Sequence, residues 1–131
     1  MAKFEDHCRD CERLLGDRHE NVNHWMDELF RKEGPKHRRH RHCWKGVREA
    51  RQLFGLEGAK AAIVHIVRDC GGVPDQRTYD ETQLGIVIAP EYLIYDGANE
   101  TAFEKFKNAV DAELEKAATV LGNEWQPDTL S

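Results

Sequence analysis

With 131 residues, of which 40% are hydrophobic and 33% charged, the chain is long enough for one packed domain and too hydrophobic for a disordered segment. No apolar run approaches the roughly 20 residues that cross a bilayer, and the charged residues 1–15 are unlike the apolar centre of a signal peptide. We therefore expect a cytoplasmic protein with a single domain over residues 1–131.

The charge is unevenly distributed along the chain. Residues 1–70 carry 15 Lys and Arg against 12 Asp and Glu, whereas residues 71–131 carry 4 against 12. Attraction between the two halves explains this asymmetry without a further molecule, and a basic half that faces an anionic partner is the alternative. We expect nucleic-acid binding to be weak at most, because the net charge is −5.

Apolar residues at helical spacing predict four helices in the first half of the chain. Each is followed by a glycine or by a pair that contains glycine, and such residues are typical helix ends. The predicted helices span about residues 3–15, 17–33, 37–54 and 57–70.

The second half is predicted to contain one further helix. Over residues 75–98 the helical period disappears, and two short β-friendly runs flank Pro90, so a hairpin or an ordered loop would fit. Residues 99–121 follow with the clearest apolar stripe of the chain. The expected fold class is mainly α, a compact bundle-like domain of about five helices.

Histidine and cysteine are confined to one part of the chain. All seven histidines and all four cysteines lie between His7 and Cys70. Imidazole and thiolate together favour zinc or another late divalent ion, so this distribution predicts a transition-metal site built from the helices of the first half.

The first candidate motif is His7-Cys8-x-x-Cys11. On a helix His7 and Cys11 are one turn apart, and Cys8 lies beside them. A single CxxC is only half of a structural zinc site, and no second CxxC or HxxxH is present. The alternative is that both cysteines are small apolar members of the helix face. The sequence favours this alternative for Cys8 and the ligand role for Cys11.

The second motif covers residues 37–43. His40 and Cys43 share the inward helix face, whereas Arg41 and His42 point away from it. His37 lies at the margin of this face, where it can reach a metal held between helices. The same segment is cationic and would attract phosphates. Its candidate phosphate-binding residues are Lys36, Arg38, Arg39 and Arg41. A solvated basic helix start is the alternative, which we prefer for Arg39 and Arg41.

The third motif is His65-x-x-x-Asp69. The two side chains lie one turn apart on a helix, so Asp69 could fix the tautomer of the imidazole or join it as a ligand. An exposed histidine with a carboxylate partner one turn away is the alternative. Neither interpretation is favoured.

The order of these motifs resembles that of a group of small prokaryotic proteins of unknown function. Their pattern has a His near the start, then H-x-W-(aromatic/Leu)-D-E, H-R-x-x-R-H-H, Phe-Gly and H-(aliphatic)-x-x-D-x-G-x-(Ile/Val)-P. The resemblance covers roughly residues 4–74. Matching segments here are His7, Trp25 to Glu28, His37 to His42, Phe54-Gly55 and His65 to Pro74.

Two positions depart from that pattern. Asn23 stands where the family has a histidine, and Cys43 replaces the second histidine of the His-His pair. The resemblance implies a histidine-lined site, and it supplies no reaction. The implied site residues are His7, His37, His42 or Cys43, and His65.

We therefore predict a metal-binding protein, with zinc favoured because sulfur and nitrogen donors occur together. An open coordination position would allow water activation and hydrolysis, and the sequence leaves open whether the protein is an enzyme. One alternative is a binder of nucleic acid or nucleotide phosphates through the basic cluster, against which stands the absence of a known binding motif. Another is a structural protein that dimerises through its last helix.

Overall fold

The computed structural model describes residues 3–81 and 100–126, and within these ranges it contains helices and turns but no strand. This confirms the prediction of a mainly α fold. The α-helices are α1 (Phe4–Leu15), α2 (Glu20–Met26), α3 (Phe30–Glu33), α4 (Arg38–Arg41), α5 (Trp44–Cys70), α6 (Gln76–Glu81) and α7 (Glu100–Leu121), and two 3-10 turns cover Gly34–His37 and Gly122–Trp125.

The predicted hairpin or loop at residues 75–98 lies mostly outside the described residues. Its first part is described, and it contains the short helix α6. Within the described ranges, no helix is both long and apolar enough to traverse a bilayer.

The long helix α5 is the centre of the packing. It contacts α1, α2, α4 and α7, and its second half is buried almost throughout. The apolar face of α7 packs against α5, and Phe106 and Ala117 are fully buried there. This face therefore has an intramolecular role, while dimerisation through α7 stays a prediction.

A break in α5 occurs where the sequence predicts a helix end. Gly55 has φ 80° and ψ −176°, which lies outside the helical region and is a conformation that glycine adopts more readily than other residues. Helix α5 therefore consists of two helical segments that meet at Gly55. The predicted division between a third and a fourth helix is correct at this point.

Two of the predicted helices are interrupted, and the predicted boundaries are wrong there. The α-helix ends at Met26, and the backbone beyond it turns more tightly. Its hydrogen bonds join residues three apart, such as that from the Phe30 N–H to the Asp27 carbonyl. The helical backbone breaks again at the extended residue Cys43, and the new helix packs so closely that a Cβ at Gly46 would collide with the carbonyl of Arg41. These interruptions determine where Asp27 and His42 lie.

Candidate metal centre

Two carboxylates and four imidazoles meet between α1, α5 and the turns around α2 and α4. We call this set the His–Asp cluster, and its members are His7, Asp27, His37, His42, His65 and Asp69. His7 comes from α1, and His65 and Asp69 come from adjacent turns of α5. Asp27 and His42 lie at the interruptions described above, and His37 ends the 3-10 turn before α4.

Four members form an inner group, made of Asp27, His42, His65 and Asp69. One ligand atom from each lies within 4.8 Å of the others. The Nε2 of His42 is 3.1 Å from Asp69 Oδ2 and 3.6 Å from Asp27 Oδ1. The Nε2 of His65 is 3.4 Å and 3.3 Å from the same two oxygens.

These separations are those of ligand atoms around a single ion. An ion with ligand distances of about 2.1 Å holds neighbouring ligand atoms roughly 3.0–3.4 Å apart in octahedral or tetrahedral geometry. The inner group could therefore hold a metal ion with little rearrangement.

The remaining two histidines flank the inner group on opposite carboxylates. His37 Nε2 is 3.0 Å from Asp27 Oδ1, on the same oxygen that faces the inner imidazoles. His7 Nε2 is 3.4 Å from Asp69 Oδ1, whereas the inner imidazoles face Oδ2 of that carboxylate. His37 is thus placed to be a fifth ligand, and His7 lies on the far side of Asp69.

Neighbouring groups fix the tautomers of two imidazoles. The His37 Nδ1 is 2.7 Å from the Gly34 carbonyl, which only accepts, so His37 carries a proton on Nδ1. The His65 Nδ1 is 2.9 Å from Asn23 Oδ1. The orientation of the Asn23 amide is itself fixed, because its NH2 group donates to the carbonyls of Arg18 and His19.

The consequence is an electrostatic conflict within the cluster. With Nδ1 protonated, a neutral His37 or His65 directs the lone pair of Nε2 at a carboxylate oxygen about 3 Å away. Two facing lone pairs repel, so a proton or a metal cation between them is required. This is the arrangement in which histidine ligands are held by a hydrogen bond on the other ring nitrogen.

The pKa values show how the cluster is charged without an ion. Burial alone would lower the pKa of His65, but the carboxylates of Asp27 and Asp69 prevail and raise it to about 9. Burial lowers the pKa of His42 to about 4 and also lowers that of His7. Burial would raise the pKa of both aspartates, but the imidazoles hold them well below the ordinary value. The proton on His65 thus balances part of the carboxylate charge.

The cluster reaches solvent on one side only. The side chain of Asp27 is 36% exposed, whereas Asp69 is 4% exposed and His42 and His65 are fully buried. An ion in the inner group would therefore be approached from the Asp27 side.

Three of the four predicted phosphate-binding side chains are described, and they differ in exposure and in their contacts. Arg38 is buried, and its Nη2 is 3.8 Å from Asp69 Oδ1, so it faces the cluster. Arg41 lies over the Trp25 ring and donates to the Trp25 carbonyl, while Arg39 is exposed. The side chain of Lys36 lies outside the described residues. Nucleic-acid binding stays a prediction.

The structure does not bring the predicted cysteine ligands to the cluster. Cys11 Sγ lies 3.9 Å from the Ala61 carbonyl and 3.5 Å from the Asn23 amide nitrogen, and burial raises the pKa of its thiol to about 12. Cys43 Sγ lies 3.8 Å from the Arg39 carbonyl, and burial raises its pKa as well. Both thiols lie in the core as neutral, apolar groups.

The predicted histidines His7, His37, His42 and His65 do come together. The helical spacing that had His42 pointing away is wrong, because α4 ends at Arg41 and His42 lies, fully buried, at the turn that follows. Asp69, predicted to hold a ligand in place, presents both carboxylate oxygens to them. Asp27 was not among the predicted site residues. It lies in the Trp25-x-Asp27-Glu28 segment of the resemblance, and this position was the available signal.

No protein-family model, curated protein or solved structure matches this chain. These comparisons do not test the resemblance over residues 4–74, which stays a prediction.

Proposed function

We propose that this protein binds a divalent transition-metal ion in the inner group of the His–Asp cluster. The observation that carries the proposal is the convergence of two imidazole Nε2 atoms and two carboxylates within 4.8 Å, at a place buried from solvent on all sides but one. Two ionised carboxylates are costly to bury unless cations balance them. A divalent ion supplies that balance better than the single proton of His65.

The donor set determines which ions fit. Imidazole and carboxylate suit zinc, iron(II) and manganese(II), whereas thiolate would select softer ions. The sequence favours zinc because sulfur and nitrogen donors occur together, and that reason does not apply to a cluster without thiols. We therefore propose zinc or a similar divalent first-row ion, and this choice rests on the imidazole and carboxylate donors alone.

The same donor set favours a chemical role over a structural one. Structural zinc sites are rich in cysteine, while catalytic sites combine histidine with carboxylate and keep a position for water. Solvent reaches this cluster at Asp27, and water could enter there. A bound ion would lower the pKa of that water and supply a hydroxide for hydrolysis.

Elemental analysis of the full chain, purified without a histidine tag, tests the proposal. We expect at least one divalent ion per chain and a melting temperature that falls when a chelator removes it. An ion present at about 1,000 times its dissociation constant stabilises a protein by about 4 kcal/mol, on the order of 10 °C for a chain of this size.

A pair of variants provides the control. Replacing both His42 and His65 by alanine should abolish the bound metal and the effect of the chelator. His24→Ala should change neither, because His24 is exposed and lies outside the cluster. Wild-type protein that takes up no ion, even from added zinc, iron(II) or manganese(II), would refute the proposal.

A further inference from the structure

We propose that the His–Asp cluster holds a second divalent ion, bound by His7 Nε2 and Asp69 Oδ1 beside the ion of the inner group. This inference rests on the proposed function, because the second ion shares Asp69 with the first. It concerns a part of the cluster that a single ion does not use.

The burial of His7 is not compensated by a hydrogen bond to its ring nitrogens. The residue is 1% exposed, and neither ring nitrogen has a partner in hydrogen-bond geometry. A buried polar group left unsatisfied costs about 1–3 kcal/mol. The nearest charged atom to its Nε2 is Asp69 Oδ1, at 3.4 Å. An ion next to that oxygen would satisfy the imidazole nitrogen.

The stacking of His7 on His65 places two ligands side by side. The ring centroids are 3.5 Å apart and the planes differ by 12°. Their Nε2 atoms face different oxygens of one carboxylate, His65 facing Asp69 Oδ2 and His7 facing Oδ1. A carboxylate that bridges two ions through its two oxygens is a frequent feature of two-metal sites, in which the ions are about 3.5–4 Å apart. Two nearly parallel imidazoles at this spacing could each hold one of two ions so separated.

The second ion binds more weakly than the first. Among the described residues two ligands, His7 and Asp69, reach it, and water would complete its coordination. Arg38 Nη2 lies 3.8 Å from the same Asp69 Oδ1, and its positive charge opposes a neighbouring cation. The two ions are therefore acquired in two separate steps, with the inner group filled first.

A simpler role for His7 is the competing explanation. If its Nε2–H donates to Asp69 Oδ1, His7 only orients a carboxylate that binds one ion. The two explanations differ in stoichiometry, since the simpler role gives one ion per chain at any metal concentration.

Metal titration of the full, untagged chain distinguishes them. Native mass spectrometry with increasing manganese(II) should show one ion per chain and then two, and the two-ion form should give an exchange-coupled electron paramagnetic resonance spectrum. His7→Phe keeps an aromatic ring against His65 but removes the nitrogen, so it should bind one ion and retain the first step within about threefold. His24→Phe is the matched control and should bind two.

Each outcome decides the inference. A wild-type protein that binds one ion at saturation, with no coupled spectrum, shows that His7 only orients Asp69. A second ion that persists in His7→Phe lies elsewhere and equally overturns the assignment. If His7→Phe fails to fold, the stoichiometry and the coupled spectrum of the wild type decide alone. Binding of no ion at all refutes the proposed function itself, and is thereby distinguished from the failure of this inference.

Discussion

The His–Asp cluster and the cysteines are both buried, and the same motifs suggested both as metal ligands, yet their surroundings differ. The side chains of the cluster face one another from separate segments of the chain. The thiols of Cys11 and Cys43 face the backbone carbonyls of Ala61 and Arg39, and Cys11 also faces the neutral amide of Asn23. Convergence of donor atoms, and not burial, separates a candidate site from the core.

The two sets also differ in what their burial requires. A neutral thiol is a small apolar group that is buried at little cost. The carboxylates of Asp27 and Asp69 are ionised, and ions are costly to bury unless cations accompany them. The cluster therefore needs positive charge from a proton or a metal to balance its carboxylates, whereas the neutral thiols need no balancing charge.

The largest expected effect comes from removing an inner imidazole and comparing it with removing a thiol. Loss of a group that only supports a ligand typically lowers metal affinity about 10–100-fold. His65→Ala removes a ligand itself, so it should lower the affinity by more than that. Cys11→Ala should leave the affinity unchanged, although it opens a small cavity in the core. Isothermal titration calorimetry with zinc measures both.

A Cys11→Ala protein that lost its metal while His65→Ala kept it would reverse the comparison. In that case the thiols, and not the cluster, would be the ligands. Circular dichroism of each variant shows whether the fold is retained.

A smaller effect is expected at Asn23, which touches both sets. Its Oδ1 accepts from His65, and its amide nitrogen lies 3.8 Å from Cys8 Sγ. Asn23→Ala should lower the metal affinity by about 10–100-fold, because the His65 ring loses the group that fixes its tautomer. Cys8→Ala, the matched control, should not lower it. Equal losses in the two variants would indicate a general loosening of the core instead.

The smallest expected effect is the change in metal affinity for each unit of pH. The pKa of His65 is raised to about 9, so at neutral pH a metal ion must displace its proton. The affinity should fall about tenfold for each pH unit below about 9, with release of about one proton per ion. Calorimetry in buffers of different ionisation enthalpy counts that proton. An affinity independent of pH between 6 and 8 would contradict the account.

The ion-free protein should respond to pH in the opposite sense. A histidine whose pKa rises on folding stabilises the fold fully below its unfolded value, about 6.5, and loses that contribution as pH rises towards about 9. The difference in melting temperature between metal-loaded and chelated protein should therefore widen from about pH 6.5 to 9.

Much of the helical structure could be predicted from residue spacing. The bounds of α1, the apolar face of α7 and the break at Gly55 follow from local periodicity and from a residue that tolerates positive φ. The interruptions after Met26 and at Cys43 could not be predicted in this way. They depend on packing between segments, as in the contact of Gly46 with the Arg41 carbonyl.

The same limit applies to the site. Spacing placed His65 and Asp69 on one face of a helix, but it could not show that they face inward. Asp27 was missed because its direction depends on where α2 ends. Cys11 was included because it shares a helix face with His7, and periodicity does not resolve which residue of a buried face meets the core and which meets a polar cluster.

An anomalous difference map from crystals of the full chain grown with zinc, with data collected at the zinc edge, tests the central claim most directly. The account predicts the strongest peak within about 2.1 Å of Asp27 Oδ1, Asp69 Oδ2 and the Nε2 atoms of His42 and His65. Peaks found only at the cysteine sulfurs or on the surface, with none in the inner group, would contradict it.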